Sequence, residues 1–385
     1  MKLTSVSPER QGANGQRISP SRLQVARLRR GLTKADLANR IGISTSTLSK
    51  WEVNGPPPAK VESLLELLVS ALDFPSDFFT ADEVDLPSLE RTLFRAGSRA
   101  TQRQKLVAIS SGVNAKILLS WLRSHFNYPS PDIPDLTGVA PAEAARYVRS
   151  VWALGDMPIP NSIQLAESKG VAVIGLPPAA SAVDAFSLRE DDQPFIFLAR
   201  RRTPEGARFD LAHELGHLLL HSKSDPDSTT DRETEANQFA SEFLIPTDAI
   251  HANLRLYPSL DDILSFKSKL KVSAMAALVA VSNAGKLNDS QFRQYAGILS
   301  SRGFRTSEPG SDLQYERSRV FDFVFSPEGG QTARSIADAT HIPVQDLNFL
   351  TLNAAASAVS GIEHQCPSAR SSASSRRPNL RIIKA

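Results

Sequence analysis

Cysteine is almost absent: one residue, Cys366, in a chain of 385. A single thiol builds neither an internal disulfide framework nor a cysteine-based zinc knuckle. Long hydrophobic runs are missing as well, so no stretch reaches the length needed to cross a bilayer. The opening residues, MKLTSVSPERQGANGQ, lack the apolar core of a signal peptide. Together these absences point to a reducing cytoplasm and to no membrane partner. Excess charge is small, a formal +3, so the chain is no polycation. Any nucleic-acid site must come from local clustering of basic groups. Three of the seven histidines nevertheless share one short apolar stretch, FDLAHELGHLLLH, residues 209–221.

The length allows two or three domains. Residues 1–19 are polar and read as a mobile, disordered arm. Residues 20–73 read as short helices with tight connections. Residues 74–150 form a helical linker region, with one helical stretch at TQRQKLVAISSGVNAKILLSWLRSHF and a Pro/Asp-rich crossing after it. In 151–256, SIQLAESKGVAVIGL predicts a helix, a glycine stop and a strand. VDAFSLREDDQPFIFLAR predicts two strands around an acidic turn. Residues 257–353 read as a helical C-terminal domain, and 354–385 as a Ser/Arg-rich disordered tail. The expected fold class is mostly α with a small β-sheet, that is α+β.

His213 and His217 are four residues apart, which places both imidazoles on one helix face. With Glu214 they make His-Glu-x-x-His, the zinc metalloprotease pattern. Two such imidazoles bind one zinc ion, and the adjacent carboxylate can reach the water that zinc activates. A chance match in a chain this long arises on the order of once in a hundred. The plain alternative is a histidine-bearing core helix. That reading leaves Glu214 unexplained, because a charge is rarely buried without a partner. It also leaves Gly216, which costs roughly 1 kcal/mol in a helix interior. A close approach of another backbone, or a metal site, would account for it.

Catalytic zinc usually takes three protein ligands. The stretch ETEANQFASEFLIP, residues 233–246, reads as a second amphipathic helix with Ala236, Phe239, Ala240, Phe243 and Leu244 on one stripe. A carboxylate near its start could complete a two-histidine, one-glutamate site. Glu233 is preferred because it shares the side of Ala236 and Ala240; Glu235 is the rival. His221 reads as a helix C-terminal cap or a group behind the ligands, with direct ligation as a strained option.

The stretches RFDLAHELGHLLLH and ETEANQFASEFLIP resemble the ImmA/IrrE family of metallopeptidases. The likeness is close over roughly 150–256 and looser through KVSAMAALVAVSNAGKLNDSQFRQYAGILSSRGFRTSEP. The resemblance implies a sheet ahead of the motif helix, His213, His217 and Glu233 as Zn2+ ligands, and Glu214 as catalytic base. It also implies a regulatory protein as substrate.

Nearer the start, SRLQVARLRRGLTKADLANRIGISTSTLSKWEVNG has helix-turn-helix spacing. Leu23, Ala26 and Leu28 line the first helix and Gly31 ends it. Thr33 caps the second, Gly42 makes the turn, and Ser44 caps the third. The pattern is similar to the Xre/Cro repressor family, whose third helix enters the major groove. That implies Thr45, Ser46, Ser49 and Lys50 at bases or nearby phosphates, with Thr47 and Lys34 near phosphates. Arg22, Arg27, Arg29 and Arg30 are expected to add positive charge for phosphate contact. Two departures stand out: WEVNG carries one residue more than the usual Glu-x-Gly ending, and Lys34 stands where glutamine is usual. A second helix-turn-helix look, in SIADATHIPVQDLNFL, lacks basic charge and reads as a packing or dimerisation module.

The expected function is a DNA-binding transcriptional regulator carrying a zinc-dependent endopeptidase that cleaves a regulatory protein. The competing reading is an antitoxin-like or sensor repressor that binds DNA and metal without cleaving anything, paired with a toxin. Repressors of this kind read two half-sites, so a homodimer on a double-stranded operator is expected.

Overall fold

The computed structural model describes residues 17–85, 101–180, 183–190, 192–200, 203–221 and 229–359. Its first helices are α1 (Pro20–Arg29), α2 (Lys34–Arg40) and α3 (Thr45–Asn54), followed by α4 (Val61–Leu72) and α5 (Ser76–Thr80). Ser19, Thr33 and Ser44 each accept from a backbone N–H three residues on, satisfying donors a helix start leaves free. Gly31 and Gly42 sit at positive φ in the two intervening turns. Leu23, Ala26, Leu37, Ala38 and Leu48 are fully buried between these helices. Ile18 is fully buried with them, so order begins ahead of residue 20. Residues 1–16 of the expected arm lie outside the described part.

The rest of the chain wraps a small sheet. Ahead of the sheet come α6 (Gln102–His125), α7 (Pro141–Val151) and α8 (Ser162–Ser168). The strands are β1 (Ala172–Gly175), β2 (Ala185–Glu190) and β3 (Gln193–Leu198). Then come α9 (Pro204–Leu220), α10 (Thr229–Leu244), α11 (Thr247–Asn253), α12 (Leu260–Leu270), α13 (Ala274–Asn283) and α14 (Asp289–Ser301). Last are α15 (Arg319–Val324), α16 (Ala333–Thr340), α17 (Val344–Leu350) and α18 (Ala354–Val359). The expected α+β class, mostly helical with a small sheet, is what the chain forms.

The strand order is β1-β3-β2, with β1 parallel and β2 antiparallel to β3. The central strand β3 is buried along its whole length. Because side chains alternate across a strand, β3 divides two cores. Ile196 and Leu198 face the layer of α7 to α14, while Phe195 and Phe197 face α6 and α15 to α18. Phe197 stacks on Phe186 of β2 with ring centroids 4.4 Å apart.

α6 belongs to two cores. Its Leu118, Leu119 and Leu122 join the sheet core, while Val113 packs into the core of the N-terminal helices. α6 therefore holds the N-terminal helices against the sheet. α16 and α17, the second helix-turn-helix-like pair, pack within the chain through Ile336, Ala337, Ile342 and Leu347. Asp346 of α17 accepts from Arg29 at 2.8 Å and from Arg30 at 3.0 Å, tying α1 to the C-terminal helices. α18 carries the fold to residue 359, into the expected tail; residues 360–385 lie outside the described part. No helix among the described residues is long and apolar enough to cross a membrane.

Candidate functional site

α9 is capped by Thr203, whose side chain accepts from Gly206 N, with Pro204 in the first turn. It packs along α10, whose Ala236, Phe239, Ala240 and Phe243 are all fully buried. The helices meet closely at Gly216. A Cβ there would lie 3.1 Å from Phe239 Cδ1. The glycine is thus accounted for by close approach, as expected, but by an aromatic side chain and not by a backbone.

This packing brings three of the predicted residues together. His213 Nε2 and His217 Nε2 are 3.0 Å apart. Glu233 Oε2 lies 3.3 Å from His213 Nε2, and Glu233 Oε1 lies 3.3 Å from His217 Nε2. The ligand atoms of all three fall within 4.8 Å of one another, the one such group among the described residues. Two nitrogens held tetrahedrally by one zinc ion would be roughly 3.3 Å apart, from metal–nitrogen bonds of about 2.0–2.1 Å. The donor set and its spacing therefore suit a metal ion. Glu235 does not join them; its Oε2 is 2.8 Å from His221 Nε2.

The electrostatics follow from that geometry. Hydrogen bonds from His213 and His217 hold the Glu233 carboxyl well below its ordinary range. Burial alone would lower His213, but the bond to Glu233 and the charge of Glu214 overcome it and raise the imidazole. Burial lowers His221 despite Glu235 beside it. Glu214 is only 4 % exposed. Its Oε2 is buried and has no hydrogen-bond partner among the described residues. An ionised carboxylate left in that state is expensive.

Sequence spacing offered His221 as a group behind the ligands, among other options, but gave neither its contact nor that of Asn237. Asn237 Oδ1 lies 3.0 Å from His213 Nδ1, and His221 Nδ1 lies 3.0 Å from His217 Nδ1. One signal was available for the first: Asn237 stands one turn beyond Glu233, on the same face.

On α3, Thr45, Ser46 and Lys50 are exposed, while Thr47 and Ser49 are half-buried. Lys34 is partly exposed, with Nζ 3.6 Å from Glu52 Oε2. The four arginines of α1 and its end need correction, because all are turned into the protein. Arg22 donates to Asp82 O and lies over the Phe78 ring. Arg27 forms a buried pair with Glu52, Nη2 to Oε2 at 3.0 Å, and donates to Leu32 O. Arg29 and Arg30 meet Asp346, and Arg30 also donates to the carbonyls of Leu72 and Asp73. A guanidinium committed in this way is not free for phosphate. The extra residue of WEVNG lets α3 run on to Asn54, and Gly55 closes it at φ 77°.

Comparison with known families matches residues 23–73 to a helix-turn-helix model. Residues 166–282 match the model of the IrrE N-terminal-like domain. That match includes both α9 and α10 and runs on through most of α13. No curated protein matches the chain. With a helix-turn-helix ahead of a peptidase-like domain that carries the His213–His217–Glu233 cluster, the chain is a helix-turn-helix regulator fused to an ImmA/IrrE-type domain.

Proposed function

We propose that the chain is a cytoplasmic, DNA-binding transcriptional regulator whose ImmA/IrrE-type domain is a zinc-dependent endopeptidase acting on a regulatory protein. The observation that carries this reading is Glu214: a buried carboxylate with an unpartnered oxygen, close to His213 in the cluster with His217 and Glu233. His213, His217 and Glu233 would hold the ion, and Zn2+ bound there supplies Lewis acidity that activates water and polarises a carbonyl. Glu214 takes a proton from the attacking water and returns it to the leaving amine. β2, one of the two edge strands of the sheet among the described residues, lies against α9 and offers an extended peptide a strand to pair with.

In the same reading residues 20–73 form the DNA-binding domain and 151–256 the core of the peptidase. Residues 257–353 form the helical C-terminal domain. Thr45, Ser46, Ser49 and Lys50 contact bases or nearby phosphates of an operator, with Lys34 and Thr47 at the backbone. A homodimer places two such helices on two half-sites.

The test compares new protein N-termini in a cell extract incubated with the purified chain or with Glu214→Gln. The expected result is a discrete cleavage made by the wild type and absent with the variant, while both bind zinc equally. No difference between the two zinc-loaded proteins would leave the competing reading, a metal-binding repressor of antitoxin or sensor type.

A further inference from the structure

Both Nε2 atoms of His213 and His217 turn towards Glu233. Each ring therefore has its Nδ1 on the far side, and each Nδ1 meets a group that does not itself touch the cluster. For His213 that group is Asn237 Oδ1, at 3.0 Å. For His217 it is His221 Nδ1, also at 3.0 Å. His221 is in turn met at Nε2 by Glu235 Oε2, at 2.8 Å. His221 is almost fully buried, and Glu235 is part-exposed.

The hydrogen positions along this chain follow from donor and acceptor rules. A histidine that offers the Nε2 lone pair must carry its proton on Nδ1. His217 Nδ1–H then donates to His221 Nδ1, which must be a bare acceptor. The one proton of neutral His221 is left on Nε2, where it donates to the Glu235 carboxylate. On His213, Nδ1–H donates to the Asn237 amide oxygen. In the state that binds a metal, once the Nε2 protons that bond Glu233 in the metal-free protein are released, every remaining proton has one place and both Nε2 lone pairs point at the shared position. The opposite tautomer of His217 would place hydrogen on its Nε2, against the cluster, and break the sequence of donors.

We propose that His221, backed by Glu235, and Asn237 are positioning residues that fix the tautomer and ring orientation of His217 and His213 for metal binding. None of the three touches the ion. The inference rests on the metal reading above and adds to it a division of the carboxylates on α10: Glu233 serves the ion, and Glu235 serves a histidine behind it. It also explains why a helix of this kind carries a third histidine one turn beyond the pair. Partners of this sort raise ligand basicity and stop ring rotation, and their loss typically weakens metal affinity by about tenfold to a hundredfold.

The test measures zinc affinity of the purified full chain by competition with a chromogenic chelator, alongside the melting temperature of each metal-free protein. His221→Leu is expected to bind zinc about tenfold to a hundredfold more weakly. His221→Gln, whose amide oxygen can still accept from His217 Nδ1–H, is expected to recover most of that loss. Rescue by an acceptor separates positioning from a merely structural role, which would lower melting temperature and leave affinity alone. Asn237→Ala, at an exposed position, makes the same test for His213 should His221→Leu fail to fold. Wild-type affinity in His221→Leu or, where that protein does not fold, in Asn237→Ala would overturn the inference while leaving the metal site standing. A wild type that binds no zinc would instead overturn the reading on which it rests.

Discussion

The first two turns of α9 and its later turns handle charge in opposite ways. Early in the helix, Arg208 is almost fully buried and pairs with Glu316, while also donating to Ile159 O at 2.8 Å. Burial pulls this guanidinium down to about 10, with Glu205 nearby opposing the shift. Glu205, in the first turn, accepts from Ser311 and faces Lys267 at 3.7 Å; Lys267 itself pairs with Glu308 at 2.8 Å. Glu205 and Arg208 each meet an opposite charge, and the connection between α14 and α15 is pinned to the helix as a result. Further on, His213, His217 and Glu233 converge on one point, and one Glu214 oxygen has no hydrogen-bond partner among the described residues. Glu205 and Arg208 are held in ion pairs, although Glu205 Oε2 and Arg208 Nε each lack a hydrogen bond of their own. Glu214 has no ion pair to a Lys or Arg among the described residues and lies beside the His213–His217–Glu233 cluster.

The contrast breaks most visibly at Glu316. Removing one member of a buried ion pair costs about 3–5 kcal/mol, because the other charge stays behind. Glu316→Ala strands Arg208 and also frees the N–H groups of Ser162 and Ile163, which Glu316 accepts from. Denaturant unfolding should show a loss of that order, while zinc bound per folded chain is unchanged. A loss of zinc at unchanged stability would mean that the two parts of α9 are not separate in role.

A smaller effect sharpens the same distinction at Glu167. This carboxylate accepts from Ser318 and from the first N–H groups of α15, in the same connection as Glu316. Burial raises it to about 7, although those bonds oppose the shift. The folded protein thus keeps a proton that the unfolded chain releases near 4.5. The stability this contributes is complete below 4.5 and is lost as pH rises through about 7. Melting temperature should fall over that window, and Glu167→Gln should flatten the slope without touching zinc binding. An unchanged slope in the variant would assign the pH dependence elsewhere.

Local pattern carried much of this fold. Caps at Thr33 and Ser44, the apolar stripe of α10 and the glycine stop before β1 are all written within a few residues of where they act. The histidine spacing placed two members of the cluster, and the alanine stripe of α10 pointed to Glu233 as the third. What sequence could not supply was partners far apart along the chain. Arg29 and Asp346 are 317 positions apart. Without that contact the arginines of α1 look like phosphate binders. Glu316 lies 108 positions from Arg208, so nothing near either one reveals a buried pair. The orientation of His221 was open for a related reason: a ring at a helix end can cap, ligate or position, and only the placement of Glu235 on α10 distinguishes these roles.

The central claim is that the later turns of α9 and the start of α10 form a metal centre. Elemental analysis of the purified chain beside His213→Ala and Glu233→Ala tests it most directly. The account predicts about one zinc per chain, as for a single site of three protein ligands, and its loss in both variants. No zinc after reconstitution, or the same content in all three proteins, would contradict it.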